Sequence, residues 1–281
     1  MILDALLDAL KDTAISIPFL FAAYLLMELL EKKSEILTSK LFTNKRYFGP
    51  LFGSILGLVP QCGFSAAMSN LYVGGVIEMG TLISVFLATS DEAVLIMISH
   101  PAAISKIWVL LLTKLIIGIV FGYLINFIFC RKPNNRHVGD ICKDEHCGCE
   151  ESEGILKPAV IHTLKIIGWI FGICFALNIV VSLIGTDNLA RFLGGNIFLQ
   201  PLATALLGLI PNCAISVLFT ELYIAGGLSF ASTIAGLCSG AGLGLIVLFR
   251  MNGSKKDSFK AVLLLYACAA IAGLILQVIP I

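Results

Sequence analysis

Apolar runs separated by short polar segments occupy most of this chain, and several of the runs are long enough to cross a membrane. A helix needs about 20 residues to span the hydrocarbon core of a bilayer. The pattern therefore predicts an all-α integral membrane protein. The spanning helices that we predict cover residues 13–30, 79–99, 104–130, 158–184, 232–249 and 259–279.

Four further apolar segments are too short to span the core, and they form two pairs. The pairs are residues 48–59 with 62–73, and residues 198–210 with 213–224. A helix of about a dozen residues is roughly 18 Å long, little more than half of the core's thickness. We therefore predict two re-entrant hairpins with mid-membrane tips at Pro60-Gln61 and Pro211-Asn212. If the hairpins instead cross fully, each half of the chain has five spans.

The two hairpins belong to a duplicated sequence. The segment from Leu56 to Ser65 recurs without a gap as Leu207 to Ser216. Each copy has three crossings and one hairpin, and an odd number of crossings requires the second copy to enter the membrane in the opposite orientation. We therefore predict two inverted-topology repeats. The predicted parts of the chain are a first membrane repeat at 1–130, a linker at 131–157 and a second membrane repeat at 158–281.

The distribution of basic residues agrees with inverted repeats. Loops at residues 31–46 and 250–260 are basic, whereas the loops at 100–106 and 186–196 contain few basic residues. With the loop at 31–46 on the cytoplasmic side, the predicted crossings place the linker and the loop at 250–260 on that side too. Because positively charged loops stay in the cytoplasm, we predict a multi-pass protein of the inner, cytoplasmic membrane with a cytoplasmic linker and an external N-terminus.

Composition excludes several other classes of protein. Apolar residues make up 58% of the chain and charged residues 13%, against about half and about a quarter in soluble domains. Basic residues are scattered over loops without interleaved aromatic residues, so no nucleic-acid partner is expected. Acidic Asp4 and Asp8 stand where a signal peptide would be basic, so we expect the first helix to be retained. The sequence has no phosphate-binding loop of the nucleotide-binding type, and no cofactor is expected.

Each predicted hairpin tip carries an amide and a cysteine in apolar surroundings. Open backbone at mid-membrane is tolerated only where protein or a watered cavity surrounds it, and the helices that begin at the tips would direct positively polarised amino ends into that cavity. In the alternative interpretation, Pro and Gly merely kink ordinary spans and the cysteines pack as small apolar residues. The substrate-binding residues that we predict are Gln61, Cys62, Ser65, Asn212, Cys213 and Ser216.

A polar triplet, Ser90-Asp91-Glu92, interrupts the span at 79–99. Adjacent carboxylates within a membrane usually serve ion or proton coupling, and we predict that role for all three residues. Alternatively the span is shorter and the acids lie at a membrane surface. The equivalent segment of the second copy, residues 240–242, is expected to be unwound. Lys114 either pairs with one of the acids or extends its ammonium group to the interface.

The linker concentrates cysteine and histidine. Thiolate and imidazole prefer soft or borderline metals, so a metal-loading or metal-sensing segment is one interpretation, and a disordered loop with reduced thiols is the other. The metal-binding residues that we predict there are Cys142, His146, Cys147 and Cys149.

The segments at 60–65, 90–93, 211–213 and 222–250 resemble those of a bacterial and archaeal family of ten-span heavy-metal exporters, also called arsenic efflux proteins or manganese transporters. The resemblance covers essentially the whole chain outside the linker and implies about ten membrane segments. Manganese prefers carboxylate, carbonyl and water ligands, whereas trivalent arsenic prefers thiols. The substrate therefore stays open at this point.

We predict a secondary-active transporter, for efflux, that moves a heavy metal ion or a metalloid oxyanion and is coupled to protons or cations. Its expected partners are this small inorganic solute and the lipid bilayer, with a homodimer as one option for the assembly. The alternative is an intramembrane enzyme or lipid-handling protein that uses Cys62 or Cys213 as a nucleophile with a histidine base. No histidine is predicted at mid-membrane beside these cysteines, so we do not expect an enzyme.

Overall fold

The structure is a computed structural model, and it describes residues 6–7, 9–10, 13–14, 17–18, 20–22, 25, 48–59, 62–89, 93–100, 103–129, 156–184, 193 and 198–278. These residues form helices and short turns, without a strand among them. The main helices are α1 (Gly49–Gly57), α2 (Cys62–Val73), α3 (Met79–Ala88), α4 (Ala93–Ser99), α5 (Ile104–Ile128), α6 (Leu156–Ile184), α7 (Gln200–Gly208), α8 (Cys213–Ile224), α9 (Phe230–Ser239), α10 (Leu243–Met251) and α11 (Lys255–Val278).

Helices α1 to α5 recur in order as α7 to α11. In four of the five pairs, the first residues of the two helices are as far apart in the sequence as Cys62 and Cys213. Pro50 and Pro201 occupy equivalent positions in the first turns of α1 and α7, where the missing N–H has no helical partner to lose. After α2 and α8 the chain turns through Gly75 and Gly226 at φ 73° and 78°, a left-handed conformation that glycine adopts without strain. The duplicated sequence therefore builds duplicated local structure.

Within each copy three helices form one packing unit. Helix α3 packs between α1 and α5, and α9 packs between α7 and α11. Glycines permit the close approach: a Cβ at Gly122 would lie 2.7 Å from the Ser84 Cβ, and a Cβ at the equivalent Gly273 would lie 2.6 Å from the Ala235 Cβ. Small residues at such crossings are typical of helices packed in a membrane, where close backbone approach replaces hydrophobic burial.

The remaining helices of each copy pack on helices of the other copy. Helix α2 packs on α10 of the second copy, whereas α8 packs on α4 of the first. The Ser69 hydroxyl on α2 donates a hydrogen bond of 2.8 Å to the Gly244 carbonyl on α10. Helices α3 and α9 meet at the centre, and α6 packs against α10. Neither copy therefore forms a separate core.

Four helical segments found among the described residues are long and apolar enough to cross a membrane: 79–99, of which residues 90–92 are not described, 104–128, 230–251 and 255–278. The first and third are 80% and 89% buried, and the second and fourth are 33% and 39% buried. Trp108 and Phe127 on α5 are 70% and 86% exposed. The broken helix pairs α3–α4 and α9–α10 therefore form the core, and α5 and α11 present apolar side chains outward, as lipid contact requires.

The span predicted at 232–249 is not one helix. It consists of α9 and α10, separated by unwound residues Gly240 to Gly242, as the sequence of this segment predicts. Gly242 has φ 50° and ψ −135°, which a residue with a Cβ adopts only under strain. In the first copy α3 ends at Ala88 and α4 begins at Ala93, and the intervening acidic triplet lies outside the described residues.

Candidate functional site

A pocket lies where the segment before α8 meets the break between α9 and α10. We call it the tip pocket. Helix α6 forms its third wall. Its lining residues are Cys174, Asn178, Pro211, Asn212, Cys213, Gly242 and Leu243.

Asn212 fixes the geometry of the tip pocket. It lies just before α8 in an extended conformation, and its Oδ1 accepts a hydrogen bond of 2.8 Å from the Ala214 N–H. This is an N-cap, which satisfies one of the amide groups that a helix start leaves without a helical partner. The Asn212 Nδ2 donates to the Asn178 Oδ1 at 2.6 Å. The start of α8 is thereby held against α6.

Two cysteines border the same pocket. Cys174 is 5% exposed, and Cys213 is partly exposed. Cys174 and Asn178 are one helical turn apart on α6, so they share a face of that helix. The two thiols suit soft or borderline metals and thiophilic metalloids more than hard cations. No group of three or more His, Cys, Asp or Glu side chains in the described part of the chain could hold a metal ion.

Two helix amino ends also face the pocket, because α8 begins at Cys213 and α10 begins at Leu243. A helix start carries a partial positive charge of about half an elementary charge. The two starts therefore make the pocket electropositive without any basic side chain, which favours an anionic or electron-rich solute.

Of the predicted substrate-binding residues, the structure brings Asn212 and Cys213 into the pocket. Ser216 is buried one turn farther along α8, where its carbonyl accepts a 2.8 Å hydrogen bond from the Thr220 hydroxyl. Ser65 is buried on α2 against α10, where a Cβ at Gly244 would lie 2.9 Å from the Ser65 carbonyl. Gln61, Ser90, Asp91, Glu92 and the linker residues Cys142, His146, Cys147 and Cys149 lie outside the described residues, as does the side chain of Cys62.

Sequence reasoning missed the contribution of α6. Neither Cys174 nor Asn178 is among the site residues that the sequence predicts. A signal was present, since a cysteine and an asparagine four residues apart lie on one face of the otherwise apolar stretch 166–181 of this helix. The sequence gives no indication of which helix packs against the segment before α8.

The position of Lys114 excludes one of its two predicted roles, extension of the ammonium group to the interface. Lys114 does not extend to the interface: it is fully buried near the middle of α5. Its ammonium group donates hydrogen bonds to the Thr89 carbonyl and, at 2.8 Å, to the Leu237 carbonyl. Its predicted alternative partners, Asp91 and Glu92, lie outside the described residues.

Contacts between the copies also occur at the carboxyl ends of α2 and α8. The Tyr72 hydroxyl at the end of α2 donates a 2.6 Å hydrogen bond to the Asp257 carboxylate at the start of α11. At the equivalent place in the other copy, the Lys106 ammonium group at the start of α5 lies 5.0 Å from the Tyr223 ring centroid. Tyr72 and Tyr223 are equivalent positions, as are Lys106 and Asp257. The two contacts share one geometry but differ in chemistry.

A family model described as "Putative, 10TM heavy-metal exporter" matches residues 1–186. The match covers more than half of the 281 residues, so the chain belongs to this family. It is accordingly a multi-pass membrane protein of a heavy-metal transporter family. No curated protein and no solved structure matches the chain significantly.

Proposed function

We propose that this protein is a secondary-active efflux transporter of the cytoplasmic membrane and that it binds a thiophilic metal ion or metalloid in the tip pocket. The observation that carries the proposal is the convergence of Cys174, Cys213 and two asparagine side chains on one pocket beside a broken helix. Binding sites of many secondary transporters lie beside such discontinuous helices. Membership of the exporter family supports the direction of transport.

The donor set favours one substrate class over the other. Manganese would require carboxylate, carbonyl or water ligands, and the described lining of the tip pocket contains no carboxylate. Trivalent arsenic and soft divalent metals prefer sulfur. The positive ends of α8 and α10 would add attraction for oxygen atoms that carry partial negative charge on a metalloid hydroxide or oxyanion.

The duplicated architecture supports alternating access. We take the two copies to be inverted repeats with re-entrant hairpins at α1–α2 and α7–α8, in which the second helix of each hairpin, α2 or α8, packs on the opposite copy. Movement of one repeat against the other would then expose the tip pocket to alternate sides. The contacts Tyr72–Asp257 and Tyr223–Lys106 lie at equivalent ends of the two repeats, and each would close one side.

Coupling to the driving ion is assigned to the break between α3 and α4. Asp91 and Glu92 lie in the sequence between Ala88 and Ala93, and both of these alanines are fully buried. A carboxylate in that environment is easier to protonate than in water, so it could alternate between charged and neutral forms as the cavity opens to either side. Ser90 would contribute a hydroxyl to the same site.

The linker is assigned a regulatory role. Its cysteines and histidines, Cys142, His146, Cys147 and Cys149, would bind a soft metal in the cytoplasm. The helices that form the tip pocket are complete without it, so transport itself does not require it.

The test measures arsenite, Cd²⁺ and Mn²⁺ accumulation in inside-out membrane vesicles, for the wild type and for Cys174→Ser and Cys213→Ser. We expect each serine variant to reduce accumulation of arsenite or Cd²⁺ by at least tenfold while Mn²⁺ accumulation stays at background. Cys268→Ser is the matched control, since Cys268 is equally buried on α11 but does not line the pocket. Full activity of the Cys174→Ser, Cys213→Ser double variant would remove the thiols from the transport path.

A further inference from the structure

Lys114 is placed where a transporter with broken helices would hold a cation. Helix α5 is 25 residues long, and Lys114 lies about 15 Å from its start at 1.5 Å per residue. This is about the middle of a membrane core of roughly 30 Å. Lys114 is 0% exposed. An ammonium group at this depth needs compensating partners.

The two broken helices supply these partners from their carboxyl ends. Thr89 is the C-cap residue that directly follows α3, and Leu237 lies in the last turn of α9. The Leu237 carbonyl would normally accept from the Ala241 N–H, but this N–H donates to the Ser239 carbonyl instead, at 3.0 Å. Unwinding at Gly240 therefore leaves the Leu237 carbonyl without its helical donor. The Lys114 ammonium group donates a hydrogen bond of 2.8 Å to this carbonyl.

The carboxyl ends of the two helices attract a cation. Each helix carboxyl end carries about half a negative charge, and the ends of α3 and α9 both face the Lys114 ammonium group. The equivalent of Lys114 in the second copy is Leu265, which is also 0% exposed. Only one of the two equivalent positions therefore supplies a cation. Cys238, beside Leu237, lies within electrostatic range of Lys114.

We propose that the carbonyls of Thr89 and Leu237 form a cation-binding site that the protein fills with its own Lys114 ammonium group. Unwound backbone carbonyls and helix carboxyl ends are the groups that coordinate Na⁺ in transporters with broken helices. In this protein a tethered cation replaces the free ion. The site would accept a primary ammonium compound or a small monovalent cation once the lysine is removed. This inference concerns a site separate from the tip pocket and does not depend on the substrate proposed above.

The test measures thermal stability of the purified full-length protein in detergent. Lys114→Ala removes three methylene groups and the ammonium group, and n-propylammonium contains the same atoms. We expect Tm to fall by roughly 5 °C or more and to recover saturably when n-propylammonium or Na⁺ is added. Tetramethylammonium, which has the charge but no hydrogen-bond donor, should not restore it. The wild type should respond to none of the three.

Leu265→Ala is the matched control, because it opens a cavity of similar size at the equivalent buried position without vacating a charge. Equal stabilisation of this variant by n-propylammonium would mean simple cavity filling and would overturn the proposal, as would a Lys114→Ala variant that responds to neither cation. If Lys114→Ala does not fold, Lys114→Met carries the test, since methionine keeps the length without the charge. A Met variant as stable as the wild type would also overturn it.

Discussion

Replacing Tyr72 by phenylalanine removes one hydroxyl group and tests the contact that joins α2 to α11. The hydroxyl donates to the Asp257 carboxylate at 2.6 Å, and hydrogen bonds to charged groups contribute about 1.5–3 kcal/mol. Asp257 is partly exposed, so we use the lower figure. A loss of about 1.5 kcal/mol corresponds to about tenfold in an equilibrium constant, and to a fall in Tm of roughly 3–6 °C in a protein of this size.

The duplicated fold provides the control. Tyr223 is equivalent to Tyr72, but its described contacts are made by the ring, which faces the Lys106 ammonium group and the Phe230 ring. Phenylalanine keeps that ring, so Tyr223→Phe should change the free energy of unfolding by less than about 0.5 kcal/mol. Lys106→Met removes the cation and should cost about 0.5–1 kcal/mol, because Lys106 is exposed.

Thermal unfolding of the purified variants, with a double-mutant cycle on Tyr72→Phe and Asp257→Asn, measures these differences. We expect the two substitutions to be non-additive by about 1 kcal/mol, since either one alone breaks the same hydrogen bond. Additive effects, or equal losses for Tyr72→Phe and Tyr223→Phe, would refute the assignment of the energy to the Tyr72–Asp257 contact.

Three further outcomes are expected. Asn178→Ala removes the acceptor of the Asn212 side chain and should weaken substrate binding roughly 2–10-fold, measured by equilibrium binding to the purified protein; unchanged affinity would separate this hydrogen bond from the site. At least one of Asp91→Asn and Glu92→Gln should abolish gradient-driven accumulation in vesicles while equilibrium binding survives, and retention of accumulation with unchanged pH dependence in both would make the acids structural. Deletion of residues 137–150 should leave basal flux intact and alter only metal sensitivity, so loss of flux in a stably inserted protein would place the linker in the transport path.

The bounds of α2 and α8 were accessible to sequence reasoning. The predicted segments 62–73 and 213–224 coincide with α2 and α8, because a proline and a polar residue precede each helix and a glycine follows it. The break after Ser239 was also accessible, since two glycines flank Ala241 and glycine favours unwound backbone. Local chemistry determines such features, so the local sequence reveals them.

The two carbonyl partners of Lys114 and the third wall of the tip pocket were not accessible. Lys114 binds backbone carbonyls, and a carbonyl has no sequence signature because every residue carries one. The wall from α6 depends on which helix packs beside α10, and hydrophobic periodicity gives the direction of an apolar face but not its neighbour. Both failures come from packing between distant segments.

Exchanging Lys114 and Leu265 tests whether the two copies are equivalent at their centre. Leu265→Lys alone would bring a second ammonium group into a fully buried place and should destabilise the protein by roughly 3 kcal/mol, because an unpaired buried charge has no compensation. Adding Lys114→Leu removes the first ammonium group, and a lysine from α11 could then bind the equivalent ends of α9 and α3. We therefore expect the double variant to be more stable than Leu265→Lys alone, by Tm of the purified protein. If the double variant is no more stable than the single one, the carbonyl site is specific to α5, and the two copies differ in backbone geometry at the breaks as well as in side chains.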